Sequence, residues 1–477
     1  MRKHINVVLI IIFILMFNMV AYANSAPTYW TDYPSAGIMA VDKNTPIKVL
    51  KENLLFDFTD EQDNTYSPSA KVSAGYEMEN SSKEDISVQM AFPFIERFDG
   101  FVPDDITITA DDENVSYKLY MGDIVQKSGY PFKEPENTDF NIDNLLKSIT
   151  DKKYVAKNFK DDELGKLYKF NVVSGDDNIN FAVSFNFNRE KTKIILNGFN
   201  RFERDDNYVR IASRAREEET LEIYVLGEDI DFETKGYTDG RLDEETDNFK
   251  YEVITEEADV ETYLKKYTDY YLKRYVSNYN NMTNDNISDV QLYNLYAQSL
   301  DKYMDKNLGI CTEEDVMSQI RSARIMVLVY TIDFPKNSKR EVSVSYKTKG
   351  TMDKRETSEP QYTYDYILNP AKNWKDFKNL NIKIIPPEEA LYVVNSSIEL
   401  NKEGNIYTAY SEKLPEEDFF FTLYPKEKIT LSDRLKGYLN RNFGYFTPIV
   451  IILALLIIII FISIVVKKCF IKKKRNL

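Results

Sequence analysis

Acid–base, nucleophilic and metal chemistry each need particular side chains, and this chain carries few of them. Its one histidine is His4. Arg2 and Lys3 precede an apolar run from Val7 to Val20, and Ala21-Tyr22-Ala23 offers the small residues that signal peptidase needs. Residues 1–23 therefore read as a signal peptide, with the exported chain starting at Asn24. Removal of His4 leaves no Ser–His or Cys–His pair and no imidazole ligand for a metal. The two cysteines, Cys311 and Cys469, lie on either side of a second apolar run and cannot pair within one chain. Cys311, with no histidine to activate it, reads as a small buried apolar side chain. Ser299-Leu300-Asp301-Lys302 fits S-x-x-K but lacks the S-D-N and K-T-G elements that accompany that chemistry, and there is no G-x-S-x-G or Walker loop. No catalytic, cofactor-binding or metal-ligating residue is assigned, no cofactor is expected, and the chain is expected not to be an enzyme.

Carboxylates are what remains. A pair of them can hydrolyse a glycosidic bond without histidine, although no pair stands out among 76 Asp and Glu residues. Calcium binds through oxygen and is the one metal this composition suits, if weakly. Its candidates are three acidic turns between strands: Asp111-Asp112-Glu113-Asn114, Ser174-Gly175-Asp176-Asp177-Asn178 and Glu203-Arg204-Asp205-Asp206-Asn207. None has EF-hand spacing, and a solvated turn is the simpler reading of each. All 76 acids lie between the signal peptide and the second apolar run, with 53 of the 61 Lys and Arg residues, which gives that region a formal charge of −23. Nucleic acid and anionic lipid are poor partners for such a field.

The elements that would position these groups follow from periodicity. Over 24–255 the period is mostly two, which predicts a β-rich ectodomain of one or two β-sandwich modules. Val72, Ala74, Tyr76 and Met78 alternate with polar residues, and after Glu79-Asn80-Ser81-Ser82-Lys83 the alternation resumes at Ile86, Val88, Met90 and Phe92. This predicts an antiparallel hairpin whose second strand ends, or lies at an edge, at Pro93. A second strand pair is expected from 106–109 and 115–119, and further strands at 167–173, 179–187, 193–196, 208–212 and 221–226. A short helix near 142–149 would put Leu145, Leu146 and Ile149 on one face.

Residues 256–323 switch to helical period and predict an α insert. Tyr263, Leu264, Tyr267, Tyr270, Tyr271 and Leu272 fall on one stretch, and Leu292, Leu295, Tyr296, Leu300, Tyr303 and Met304 on another, separated by an Asn-rich loop at 278–286. Thr312 is a candidate N-cap with Asp315 at its third position. Tyrosines on such stripes pack in a core or stack on a sugar ring, and core packing is the simpler reading. A final β-rich part, 324–425, has strands expected at 324–334, 341–347, 362–368, 380–385, 397–400 and 419–423.

The second apolar run, 446–466, holds no charge and is long enough to cross a bilayer as a helix. Lys467, Lys468, Lys472, Lys473, Lys474 and Arg475 bias the tail 467–477 to remain inside. The expected topology is single-pass in the cell membrane, with the N-terminal domain extracellular and a basic cytoplasmic tail. In the juxtamembrane segment 426–445, Leu431, Leu435, Tyr438 and Leu439 form an apolar face expected to rest on the outer surface of the bilayer. No L-P-x-T-G precedes the run, and Leu414-Pro415-Glu416-Glu417 departs from it at the essential positions, so the helix reads as a permanent anchor. Export without a disulfide framework, in an Ile-, Lys-, Asn- and Tyr-rich chain, suits a Gram-positive surface. Asn-x-Ser/Thr sites at Asn80, Asn114, Asn281, Asn286 and Asn395 would matter only in a eukaryotic secretory pathway.

Three stretches resemble uncharacterised single-pass exported proteins of clostridia and related Firmicutes: Pro27-Thr28-Tyr29-Trp30 through Tyr33-Pro34, Ala91-Phe92-Pro93-Phe94, and Tyr364-Asp365-Tyr366-Ile367-Leu368-Asn369-Pro370-Ala371 followed by Trp374. The second and third are also similar to a β-rich bacterial exported domain of unknown function. The resemblance implies a location and a fold class and brings no site residue with it. The fold expected is mainly β with an α insert: a β-sandwich-type ectodomain, a helical insertion and one C-terminal transmembrane helix. The function expected is that of a non-enzymatic, membrane-anchored cell-surface protein binding an envelope protein or a cell-wall component. The alternatives are a carboxylate-dependent glycan hydrolase and an accessory subunit of a membrane complex.

Overall fold

The computed structural model describes residues 29–475 apart from position 43 and the segments 61–65, 127–141, 176–177 and 277–285. The expected signal peptide, most of the Asn-rich loop and the middle of the 174–178 turn lie outside the described residues. The chain is mostly β with a few helices.

Strands from both ends of the chain share sheets. An eight-stranded sheet places Ser69–Asn80 between Lys48–Asp57 and Ser338–Lys349. In Ser69–Asn80, Ala70, Val72, Ala74, Tyr76 and Met78 are buried while the residues between them are not, the pattern of a strand with one covered face. A four-stranded sheet pairs Ile86–Arg97 with Ala323–Phe334 along their whole lengths, and a six-stranded sheet carries Gln361–Ile367 and Phe419–Tyr424. One cluster fuses the layers: Phe56, Val72, Tyr76, Phe92, Tyr330, Tyr364 and Phe421 all belong to it.

The strands differ from expectation in three places. Segments 70–78 and 86–92 are strands but not a hairpin, because they belong to different sheets: the first pairs with the preceding strand Lys48–Asp57 and with Ser338–Lys349, the second with Ala323–Phe334. The turn between them is an arch from one layer to the other, and Asn80 is its fastener. Its side-chain amide donates to the carbonyls of Glu84, Phe334 and Pro335 at 2.9, 3.0 and 3.1 Å, and its carbonyl accepts from Ser82 N–H at 3.0 Å. Asn80 is buried and so closed to glycosylation. The strand expected at 115–119 instead runs Lys118–Gln126 and joins Ala323–Phe334 rather than 107–110. Residues 397–400 form no strand; they link Tyr392–Ser396 to Asn401–Glu403, and Ile406–Lys413 is a strand that periodicity did not announce. Pro93 lies within Ile86–Arg97, just beyond the short edge strand Met39–Ala40, which pairs only at Met90 and Ala91. Its missing N–H there faces no partner strand.

A second sandwich comes from 164–259. One five-stranded sheet contains Leu164–Ser174, Glu218–Gly227, Thr192–Asn197 and Phe249–Asp259, with Ile310–Thr312 added in parallel; the other is centred on Ile179–Asn186. Between them lie Phe170, Val172, Phe181, Val183, Phe185, Ile223 and Val225. The apolar run 223–226 is explained by burial on both faces. Leu221, Ile223 and Val225 face this core, and Tyr224 and Leu226 face helices on the other side.

Helix α1, Ile142–Ser148, buries Leu145 beside Tyr120 and Ile325. Helix α2, Val260–Tyr275, starts at Asp259, whose carboxylate accepts from Thr262 N–H at 2.8 Å. Helix α3 is Asp289–Lys306, capped by Ser288. Helix α4, Glu313–Ile320, opens with a reciprocal cap in which Asp315 accepts from Thr312 N–H at 3.0 Å and Asp315 N–H donates to Thr312 Oγ1 at 3.3 Å.

Helix α5, Leu431–Phe443, leads through a short 3-10 turn into α6, Thr447–Arg475. Asp433 and Gly437 face the protein: Asp433 is buried and accepts from Ser358 Oγ at 2.7 Å, Lys426 Nζ at 2.5 Å and Thr430 N–H at 3.0 Å. Its apolar side faces outward, with Leu431 86%, Leu435 60% and Tyr438 61% exposed. In α6 the isoleucines from Ile457 to Ile460 and Phe461 are exposed as well. Side chains in α6 are described only as far as position 464, and among the described residues no helix is long and apolar enough to cross a membrane.

The docking of α5 depends on Gly437, where a Cβ would lie 2.2 Å from Thr357 N and 2.3 Å from Glu356 C. Backbone cannot yield as a side chain can, so Gly437→Ala should lift α5 from the 356–357 loop. The expected result is faster amide exchange in α5, by about tenfold or more, with the sandwiches unchanged. Wild-type protection in α5 of the variant would contradict this.

Candidate functional site

Helix α2 and the outer face of the second sandwich enclose a cavity of about 420 Å3. Tyr263, Tyr267 and Tyr271 recur every four residues and so share one face of α2. Their rings form a ladder. Tyr263 stacks on Tyr224 with centroids 4.0 Å apart and planes 6° from parallel, and Tyr267 lies 5.8 Å from Tyr263 and 4.5 Å from Tyr271. Gly165 makes this approach feasible, since a Cβ there would sit 2.5 Å from the Tyr224 ring.

Tyr263 and Tyr267 are 3% and 5% exposed, and among the described residues their hydroxyls find no hydrogen-bond partner. Burial raises the pKa of both well above the ordinary tyrosine value, so both are neutral O–H groups able to donate and accept. An unmatched buried hydroxyl costs about 1–3 kcal/mol. Tyr271 Oη donates to Asn197 Oδ1 at 2.7 Å, and Asn197 Nδ2 donates to Glu222 at 3.3 Å. Tyr270, 52% exposed, offers a ring at the mouth, where the Arg274 guanidinium donates to its hydroxyl at 2.7 Å. Glu219, Glu222 and Glu313 complete an acidic wall, with Lys266 and Arg274 as the cations. Aromatic faces, unpartnered hydroxyls and carboxylates in one concavity suit a polyhydroxylated ligand.

A second cavity, of about 350 Å3, opens where the N-terminal segment crosses the strands Ile86–Arg97 and Ser338–Lys349. Asp32 and Glu96 line it beside Phe94, Phe101, Tyr346 and Lys349. Burial raises the pKa of both carboxyls; for Glu96 the charge of Asp32 adds to burial and the result is about 7. The backbone N–H of Tyr33 donates to Asp32 at 2.9 Å and that of Arg97 to Glu96 at 2.8 Å.

The residues singled out by sequence fall elsewhere. Asp111 accepts from Arg340 Nε at 2.7 Å and from Glu341 N–H at 2.8 Å, and Glu203 is held between Arg201 and Arg210. These carboxylates are already matched. Among the described residues no group of three or more His, Cys, Asp and Glu side chains could hold a metal ion. Ser299 and Lys302 do not converge: Ser299 is buried and Lys302 exposed on α3. Cys311 is fully buried beneath the tyrosine ladder, and burial pushes its thiol well above the usual range.

These features define a β-rich protein with a helical insert and an aromatic, acidic cavity on the insert's edge. No protein-family model matches the chain, and no curated protein is similar to it in sequence at a significant level. Among solved structures, the chain is similar to a candidate nutrient binding protein of Legionella pneumophila at 10% identity and a TM-score of 0.35, covering 88% of this chain and 76% of that one. Chains superposing this loosely need not share a fold.

Proposed function

We propose that this chain is a non-enzymatic, single-pass protein of a bacterial cell surface, anchored by 446–466, whose ectodomain binds a cell-wall glycan in the tyrosine-lined cavity. The observation that carries the ligand class is the meeting, in one cavity, of the exposed ring of Tyr270 with the buried, unpartnered hydroxyls of Tyr263 and Tyr267. A sugar offers C–H faces to a ring and hydroxyls to hydroxyls and carboxylates, so it matches both. Glu219, Glu222 and Glu313 favour an uncharged or amine-bearing sugar over a phosphate-bearing polymer. The location is supported by the charge-free apolar run, the basic tail behind it and the resemblance to exported clostridial proteins.

Two variants separate a ligand site from a structural ladder. Tyr270→Ala should weaken binding of soluble wall-glycan fragments by about tenfold while leaving the melting temperature unchanged. Tyr263→Phe should weaken binding too, yet raise the melting temperature of the unliganded protein, because it removes an unmatched hydroxyl. Titration calorimetry and thermal melts read both. Wild-type affinity in both variants would place the glycan elsewhere and leave an envelope protein as the partner.

A glycan hydrolase is the second reading, favoured by Asp32 and Glu96 in their cavity. A carboxyl still protonated near neutrality is what a general acid needs. On that reading Glu96→Gln would abolish shortening of wall polysaccharide, and Tyr270→Ala would only slow it.

A further inference from the structure

Beside α5 the otherwise acidic chain gathers arginines. Arg434 and Arg441 of α5 and Arg355 of the facing loop line a cavity of about 360 Å3 with Tyr438 and one acid, Glu356. Arg355 is held by Asp353 at 2.7 Å and lies 3.9 Å over the Tyr29 ring, and Arg441 is 3.7 Å from Glu356. Among the described residues the Arg434 guanidinium has no ion pair or hydrogen bond. The cavity adjoins the exposed face of Leu431, Leu435 and Tyr438, and Thr447 Oγ1, donating to Leu439 O at 3.0 Å, ties the start of α6 to α5. Arg441 precedes the apolar run by five residues. The 3-10 turn at 444–446 and the Thr447–Leu439 hydrogen bond bend the chain there, which keeps Arg441 beside the start of that run.

We propose that Arg355, Arg434 and Arg441 form a site for the phosphate of an outer-leaflet phospholipid. The inference rests on the reading that 446–466 crosses the bilayer. Guanidinium groups match phosphate oxygens in pairs, and here the apolar face of α5 would lie on the acyl boundary while the arginines meet the headgroups. The site is local: the net charge of the ectodomain repels anionic surfaces at a distance, beyond the screening length of about 8 Å, and does not govern contacts within the cavity. Its effect would be to fix the ectodomain's orientation on the membrane, because Gly437 and Asp433 hold α5 to the body of the protein.

The test uses the full chain in phosphatidylglycerol nanodiscs, released into mild detergent and weighed intact by native mass spectrometry. Wild-type protein should retain phosphatidylglycerol, and Arg434→Gln with Arg441→Gln should lower the retained fraction by about tenfold at unchanged melting temperature. Equal retention by both proteins overturns the proposal. So does displacement of the lipid by millimolar inorganic phosphate, which would mark a free-anion site. Alkaline carbonate extraction reads the anchor separately: release of the chain from membranes would sink the anchor reading, whatever the lipid result.

Discussion

Replacing Glu52 by glutamine should make the protein more stable at pH 8 than the wild type and remove part of its loss of stability between pH 5 and pH 8. Glu52 stands in the inward row of Lys48–Asp57, with Leu54 and Phe56, and is 1% exposed. Tyr366 Oη donates to its carboxylate at 3.0 Å, and the Tyr76 and Tyr366 hydroxyls are 3.2 Å apart. Burial, opposed only by the hydroxyls of Tyr366 and Tyr76, raises its pKa from 4.5 to about 7. The folded state therefore holds the proton more tightly than the unfolded state. The proton's contribution is complete below pH 4.5 and is lost as pH rises through 7, a cost of about 3 kcal/mol above that range. Glutamine keeps the shape and the acceptor and never ionises. Glu96, also raised to about 7, would sustain the remaining slope. Thermal melts of both proteins at pH 5 and pH 8 decide it; an unchanged slope in Glu52→Gln would contradict the account.

Asp301→Ala should cost about 3 to 5 kcal/mol. The Asp301 carboxylate, 3% exposed, accepts from the backbone N–H groups of Lys157 and Asn158 at 2.9 Å each, from Asn158 Nδ2 at 2.8 Å and from Tyr154 Oη at 2.7 Å. Gln291 and Asn294, on the same helix, bind Thr150 O and Lys152 O at 2.6 and 2.9 Å. This polar row staples the strandless segment 150–160 to α3. Alanine would strand three donors at once, since Asn158 Nδ2 also reaches Asp301 O at 3.2 Å and Asp305 Oδ1 at 3.0 Å. Burial pulls the Asp301 pKa up, but the donors, led by Lys157 N–H, outweigh it and hold the carboxyl below the usual range. Its stabilisation is therefore present above about pH 4 and is lost as pH falls. Chemical denaturation should show the loss, and protease should cut first near 150–160. A variant with wild-type stability would mean that water replaces the carboxylate freely.

Asp301 also shows where sequence reasoning stops. It sits inside the S-x-x-K tetrapeptide, and α3 was legible from Leu292, Leu295 and Leu300, yet nothing local says that its polar side clasps a loop some 140 residues earlier in the chain. The same limit produced the mistaken hairpin. The alternation of Ala70 to Met78 is a local property, but its pairing with the strand before it, Lys48–Asp57, and with the distant Ser338–Lys349, in place of the strand that follows it, is chosen by packing. Glu52 had a readable signal: it falls in the alternating row of Leu54 and Phe56, so a charge at an inward position announces itself once the strand is drawn. The tyrosine stripe of α2 was equally visible, as core. What made it a cavity wall, Glu219, Glu222, Asn197 and Glu313, comes from three other elements.

The glycan-binding reading is tested most directly by mixing the purified chain with defined wall polysaccharide, and following both the bound fraction and the polymer's length. Saturable binding with the polymer intact, weakened in Tyr270→Ala, is the result predicted here. Polymer that shortens in the presence of the wild type but not of Glu96→Gln would contradict it and assign the Asp32–Glu96 cavity to catalysis.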